Sequence, residues 1–222
     1  MIVGEQKTIS EIKDMLKTYK KILVLGCGTC VTVCFAGGER EAGILASALR
    51  IDSQNNQKEI EILEQTVTRQ CDKEFLDKLE LDGVEAVLSL ACGAGVQTIA
   101  ETFTEMPVFP GLNTKFIGRN DEQGVWSERC LGCGNCILDK TGGVCPIARC
   151  SKNLLNGPCG GSSDGKCEID KSVDCGWQLI YNRLEKLGQL SSLEEILPLK
   201  DWSTSRDGGP RKVIREDLRL RD

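Results

Sequence analysis

KILVLGCGTCVTVC, residues 21–34, decides the fold. A short apolar run ends at Gly26 and passes straight into a CxxCxxxC series formed by Cys27, Cys30 and Cys34. An apolar stretch of this length without polar alternation is what a strand buried on both faces presents, and such strands belong to parallel sheets covered by helices. The glycine at its end marks a tight turn, so the three thiols fall in the loop that leaves the strand.

Working outward, Thr8 and Glu11 match a capping box, and Ile9, Ile12, Leu16 and Tyr19 give the helix that follows an apolar face for packing on the sheet. Beyond the cysteine run, Ile44, Leu45, Ala48 and Leu49 line one side of a second helix. Residues 60–67 read as a second strand, 73–81 as a short helix, 84–91 as a third strand, 96–103 as a helix and 107–112 as a shorter fourth strand. Alternation of this kind predicts an α/β domain over residues 1–120, with a mostly parallel sheet and flanking helices.

After Asn120 the texture changes. Glycine, cysteine and short polar links dominate up to Trp177, with little apolar periodicity from which to build a core. Residues 121–205 are therefore expected to form a small cysteine-rich domain stapled by bound metal, whose binding free energy becomes folding free energy. One longer helix is predicted over residues 177–187, stopped by Gly188, with Ser192 capping a last short turn. The charged tail, residues 206–222, reads either as a frayed terminus or as an arm that clasps a partner.

The charge balance removes several function classes. With 28 basic and 33 acidic side chains the formal net charge is -5, so no global basic field exists to gather nucleic acid or an anionic membrane. The first residues are amphipathic and charged, unlike a secretory signal, and no apolar run approaches membrane-spanning length, so a cytoplasmic protein is expected. Thirteen cysteines, an odd number clustered as CxxC, argue against a disulfide framework and for metal ligation. Histidine is absent, so any metal site must be rich in sulfur, and four thiolates suit either zinc or an iron-sulfur cluster.

The cysteines form two constellations. Cys27, Cys30 and Cys34 follow the first apolar strand, Cys71 the second and Cys92 the third. In a parallel sheet those strand ends share one edge, where ligands of such folds collect. Cys27, Cys30, Cys34 and Cys92 are the favoured cluster ligands, with Cys71 as alternative fourth ligand; Cys71 and Cys92 could instead be buried small hydrophobes. GCGTC is not a dinucleotide-binding turn, because the last glycine of GxGxxG is missing and no acidic residue ends the second strand. A thioredoxin-like pair would leave Cys34, Cys71 and Cys92 without a role.

The second constellation is sharper: Cys130, Cys133 and Cys136 in CxxCxxC, then Cys145-Pro146, resembling elements of bacterial ferredoxins, although the CP comes later than it does there. Cys150, Cys159, Cys167 and Cys175 complete eight thiols, enough for two clusters or for one cluster beside a structural zinc. No histidine or paired carboxylates offer general acid-base chemistry. An electron conduit is expected, with a zinc-stabilised scaffold and a redox sensor as the alternatives.

The runs GCGTCVTVCFAGGE, LACGAGVQ, CLGCGNCILDKTGGVCPIARC, LLNGPCGG, GKCEID and DCGWQLIYNRLEKLG resemble the MetV family, the iron-sulfur subunits of two-subunit methylenetetrahydrofolate reductases in acetogenic bacteria. The resemblance spans nearly the whole chain. From about Arg129 onward the chain is also similar to the C-terminal domain that some methylenetetrahydrofolate reductases carry fused to their catalytic barrel. The resemblance implies a non-catalytic electron-transfer subunit carrying two or more 4Fe-4S clusters in the methyl branch of the Wood-Ljungdahl pathway. Its implied partner is a MetF-like TIM-barrel subunit that holds FMN and the folate, with a further donor subunit or a ferredoxin supplying electrons.

Overall fold

The computed structural model describes residues 1–57 and 59–219. In chain order the elements are β1 (Ile2–Gln6), α1 (Ile9–Leu16), β2 (Lys21–Cys27), α2 (Cys30–Val33), α3 (Glu39–Asn55), β3 (Glu61–Val67), β4 (Ala86–Ser89), α4 (Gly93–Thr102), β5 (Val108–Pro110), β6 (Leu112–Glu122), β7 (Val125–Cys130), α5 (Pro146–Arg149) and α6 (Gly176–Leu187). The chain divides into two compact units, Met1–Ser127 and Glu128–Asp222. Among the described residues no helix is long and apolar enough to cross a membrane.

The first unit is α/β, as the opening stretch predicts. Its four-stranded sheet has the order β3-β2-β4-β5 and every pairing in it is parallel. Strand β2 lies between β3 and β4, and its successive side chains enter two separate cores because strand side chains alternate in direction. Ile22 and Val24 pack with Ile12 and Leu16 of α1 and with Ala42, Leu45, Ala46 and Leu49 of α3. Leu23 and Leu25 pack on the other side with Leu76, Val87 and Ile99, the last from α4. Both faces are dry, which is why the run shows no polar alternation.

Three local expectations change. The capping box before α1 is half formed: Thr8 Oγ1 accepts from Glu11 N at 3.3 Å, but the Glu11 carboxylate takes Lys7 Nζ at 2.6 Å instead of reaching back. The helix expected over 73–81 is a single 3₁₀ turn, Lys73–Phe75, continued by i→i−3 bonds at Leu76 and Leu79. Its preceding Asp72 caps nothing and pairs with Arg69, and burial of Leu76 holds the segment in place of helical bonding. Ser192 lies inside a 3₁₀ turn, Leu190–Glu194, whose cap position is Gln189.

A second sheet, antiparallel with order β1-β6-β7, was not predicted. It pairs the two ends of the first unit, Ile2 opposite Ile117 and Gln6 opposite Leu112, with an irregularity between Val3 and Gly4. Most of β6 is exposed and polar, so it carries almost no alternation to read. Its stability comes from cross-strand hydrogen bonds and a few inward residues, Val3 and Leu112 among them.

The second unit has a much smaller core: Cys175, Trp177, Ile180 and Leu184, with Val144, Cys150, Leu154 and Leu190 packed against them. Helix α6 forms where expected and ends at Gly188, whose φ of 67° is the left-handed cap that glycine adopts without strain. Trp177 Nε1 donates to the Leu154 carbonyl at 2.9 Å, so the one buried aromatic also pins a loop. A short irregular hairpin joins Ser163, Lys166 and Asp174 through isolated bridges. In the tail, residues 220–222 lie outside the described residues.

Candidate metal centres

Parallel pairing fixes the first constellation. Cys27 is the last residue of β2, Cys71 follows β3, and Cys92 is the N-cap of α4, just beyond β4. Because β3, β2 and β4 are neighbours in register, their C-terminal ends bring these three thiols to one edge. The Cys71 thiol is held above its ordinary pKa, first by desolvation, although the residue as a whole is exposed, and then by electrostatic repulsion from the neighbouring Cys92 and Cys27.

A buried polar network sets this convergence, and the sequence pattern did not single it out. Gln70, wholly buried, donates through Nε2 to the carbonyls of Leu25 at 2.8 Å and Gly26 at 3.0 Å. Its Oε1 accepts from Ser89 Oγ at 2.6 Å, and Ser89 Oγ in turn accepts from Ala91 N at 3.3 Å. One glutamine therefore ties the end of β2, the end of β4 and its own loop, each within three residues of a cysteine. Gly95 makes room for it: a Cβ there would meet Gln70 Cβ at 2.9 Å and Ala91 Cβ at 2.6 Å. The available signal was a polar residue immediately before Cys71 and a serine closing an otherwise apolar strand.

Two further threonines shape the loops. Thr32 Oγ1 donates to the Cys27 carbonyl at 2.9 Å, and Thr114 Oγ1 accepts from Gly93 N at 2.8 Å. Cys30 opens α2, one turn away from Cys27. Cys34, like Cys27, is buried in the larger core, and its sulfur accepts from Gly4 N at 3.4 Å and lies 3.6 Å from the Gly4 carbonyl of β1.

In the second unit, Cys130 ends β7 and begins the CxxCxxC loop. Gly132 and Gly134, with φ of 61° and 83°, turn the backbone, and Gly132 N donates to Cys130 Sγ at 3.3 Å, the kind of amide-to-sulfur bond that stabilises thiolate ligands. Cys133 is half-buried and Cys136 exposed. Cys145 and Cys150 flank α5 as its N-cap and C-cap.

The remaining thiols gather around the hairpin. Cys175, the N-cap of α6, donates its backbone N-H to the Gly165 carbonyl and shares the small core with Cys150. Cys167 N donates to the Val173 carbonyl, and its sulfur shares a hydrogen with Ser151 Oγ at 3.4 Å. That hydroxyl, aided by the amides of Ile169 and Asp170, lowers the Cys167 pKa. Cys159 Sγ donates to Glu168 Oε2 at 3.3 Å, and Lys152 Nζ donates to the same oxygen at 2.6 Å. The Lys152 hydrogen bond is the main reason the Glu168 carboxyl sits below its usual range.

Among the described residues, no three or more Cys, Asp or Glu side chains are drawn together tightly enough to hold a metal ion. The donor chemistry nevertheless fits an iron-sulfur cluster. All the candidate donors are thiols, several of them beside glycine turns, and a cubane spreads its four thiolates over a wider cage than a single ion does.

Residues 109–203 match a family model described as methylene-tetrahydrofolate reductase C terminal. The match relates β6, β7 and most of the second unit to that family, and it begins some way before Arg129, where the sequence resemblance was expected to start. No curated protein and no solved structure matches the chain.

Proposed function

We propose that this chain is an iron-sulfur, electron-transfer subunit of a methylenetetrahydrofolate reductase. The observation that carries the reading is the convergence of Cys27, Cys71 and Cys92 on the edge where three parallel strands end, close enough for Cys92 and Cys27 to help hold the Cys71 thiol above its ordinary pKa. The family match over residues 109–203 supports the reductase context.

In this reading Cys27, Cys30, Cys71 and Cys92 hold one 4Fe-4S cluster, and Cys34 is a structural thiol that anchors the loop to β1. Cys130, Cys133 and Cys136 hold a second, completed by Cys145. Cys150, Cys159, Cys167 and Cys175, linked through the hairpin and α6, form a further four-thiol set for a cluster or a structural zinc. When bound, a 4Fe-4S cluster supplies one-electron redox chemistry. The chain's own residues provide thiolates, orient them through Gln70 and the glycine turns, and keep the first set beside a dry core.

The catalytic work belongs to a partner: a MetF-like barrel subunit with FMN and the folate, fed by a ferredoxin or a donor subunit. Anaerobic purification followed by iron, sulfide and zinc assay and by EPR after dithionite tests the reading. A reducible 4Fe-4S signal is expected, together with copurification of an FMN-containing subunit. Stoichiometric zinc with no reducible iron would leave only the zinc-stabilised scaffold. Clusters whose oxidation alters the chain's binding partners without serving turnover would instead indicate a redox sensor.

A further inference from the structure

The segment after α6 folds back along the CxxCxxC loop. Lys200 Nζ donates to the Asn135 carbonyl at 2.6 Å, Thr204 Oγ1 donates to the Cys133 carbonyl at 2.9 Å, and Arg211 Nη1 donates to the Gly132 carbonyl and, at 3.1 Å, to the Thr204 carbonyl. Three successive stretches of the loop backbone are thus held from one side. The contact is close: a Cβ on Gly134 would come within 2.2 Å of the Thr204 carbonyl oxygen, so only glycine admits the strap at that point. Two 3₁₀ turns, Trp202–Thr204 and Arg206–Gly208, stiffen the strap, with Asp201 and Ser205 accepting at their N-caps. Lys200 also lies 5.5 Å from the Trp202 ring centroid, which steadies its ammonium group.

Two features go beyond packing. The three donors occupy loop carbonyls, the negative ends of the peptide dipoles, which leaves the loop's N-H groups, such as that of Gly132 on Cys130 Sγ, to face sulfur. Two of the donors carry full positive charge and contribute it within hydrogen-bond reach of the loop backbone. One-electron reduction adds one negative charge to whatever the loop's thiolates hold, and nearby cations favour that more negative state.

We infer that Lys200, Thr204 and Arg211 form a positioning strap that holds the 130–136 loop and raises the reduction potential of the cluster it carries. The inference rests on the reading of Cys130, Cys133 and Cys136 as cluster ligands. Lys200 and Arg211 act by charge, Thr204 by holding the backbone.

The test uses the full chain purified anaerobically, with dithionite as electron donor and EPR-monitored redox titration of the signal that Cys133→Ser abolishes. K200Q and R211Q together are expected to lower the reduced-to-oxidised ratio at fixed potential on the order of tenfold, which is 59 mV for a one-electron couple. R211K, which keeps the charge, should restore most of the R211Q loss, and Thr204→Val should release iron faster with little change in potential. A merely structural strap would lose iron in all the variants and shift no potential. Wild-type chain without iron overturns both the cluster reading and the strap. Iron present with an unshifted potential in the charge variants, or an equal shift in R211K and R211Q, overturns the strap alone.

Discussion

The two units solve the problem of holding thiols in opposite ways. In Met1–Ser127 the sheet exists for its own reasons: β2 buries its side chains in two cores, and the cysteines are added at strand ends that parallel pairing has already aligned. In Glu128–Asp222 only four residues form the buried cluster, one of them a cysteine, and the rest is turns, a short hairpin and a strap. The first unit positions its thiols by fold; the second has a much smaller core, and in the proposed reading bound metal completes its fold. A scaffold that precedes its metal differs physically from one completed by it.

The sharpest way to break this contrast is to remove metal. Chelation under reducing conditions should abolish the near-UV CD of Trp177 and Trp202 and open the second unit to protease, while the first unit keeps its far-UV signal. Equal survival of both units would erase the distinction. Next in size is Leu25→Ala, which opens a cavity in the first unit's core at about 2–5 kcal/mol. Urea melts of the metal-depleted chain should show that loss, whereas Ile180→Ala should leave such melts unchanged because the second unit is already unfolded.

Gln70→Leu sharpens the account of the first unit. It removes the side-chain bonds to the Leu25 and Gly26 carbonyls and leaves the buried Ser89 hydroxyl without its acceptor, costing about 1–3 kcal/mol for an unsatisfied buried group, and it should lower iron retention in that unit alone. Smallest is Gly188→Ala, where a left-handed residue gains a Cβ at about 1–2 kcal/mol, read as a shift in the melting of the metal-loaded second unit.

Legibility in the sequence followed the same divide. The parallel sheet could be read because β2 is buried on both faces and says so in four consecutive apolar residues. Strand β6 could not: its residues are mainly exposed, and its pairing with β1 is a long-range backbone event that leaves no periodic trace. At Cys34 spacing and packing point to different roles: CxxCxxxC puts it in line with Cys27 and Cys30, while its sulfur meets Gly4 of β1, which is why the proposed reading treats it as structural. Cys71, a single thiol with no motif around it, reaches the same sheet edge as Cys27 and Cys92 because strand order and not sequence distance brings it there. The strap was equally invisible, since its contacts are side chain to backbone across some seventy residues of chain.

The most direct test of the central claim is iron per chain, measured anaerobically for wild type, Cys71→Ser and Cys34→Ser side by side. Loss of about four irons, one cubane's content, in Cys71→Ser with none lost in Cys34→Ser is the predicted result. Full iron in Cys71→Ser with loss in Cys34→Ser would contradict the claim that the ends of three parallel strands, and not the linear motif, choose the ligands.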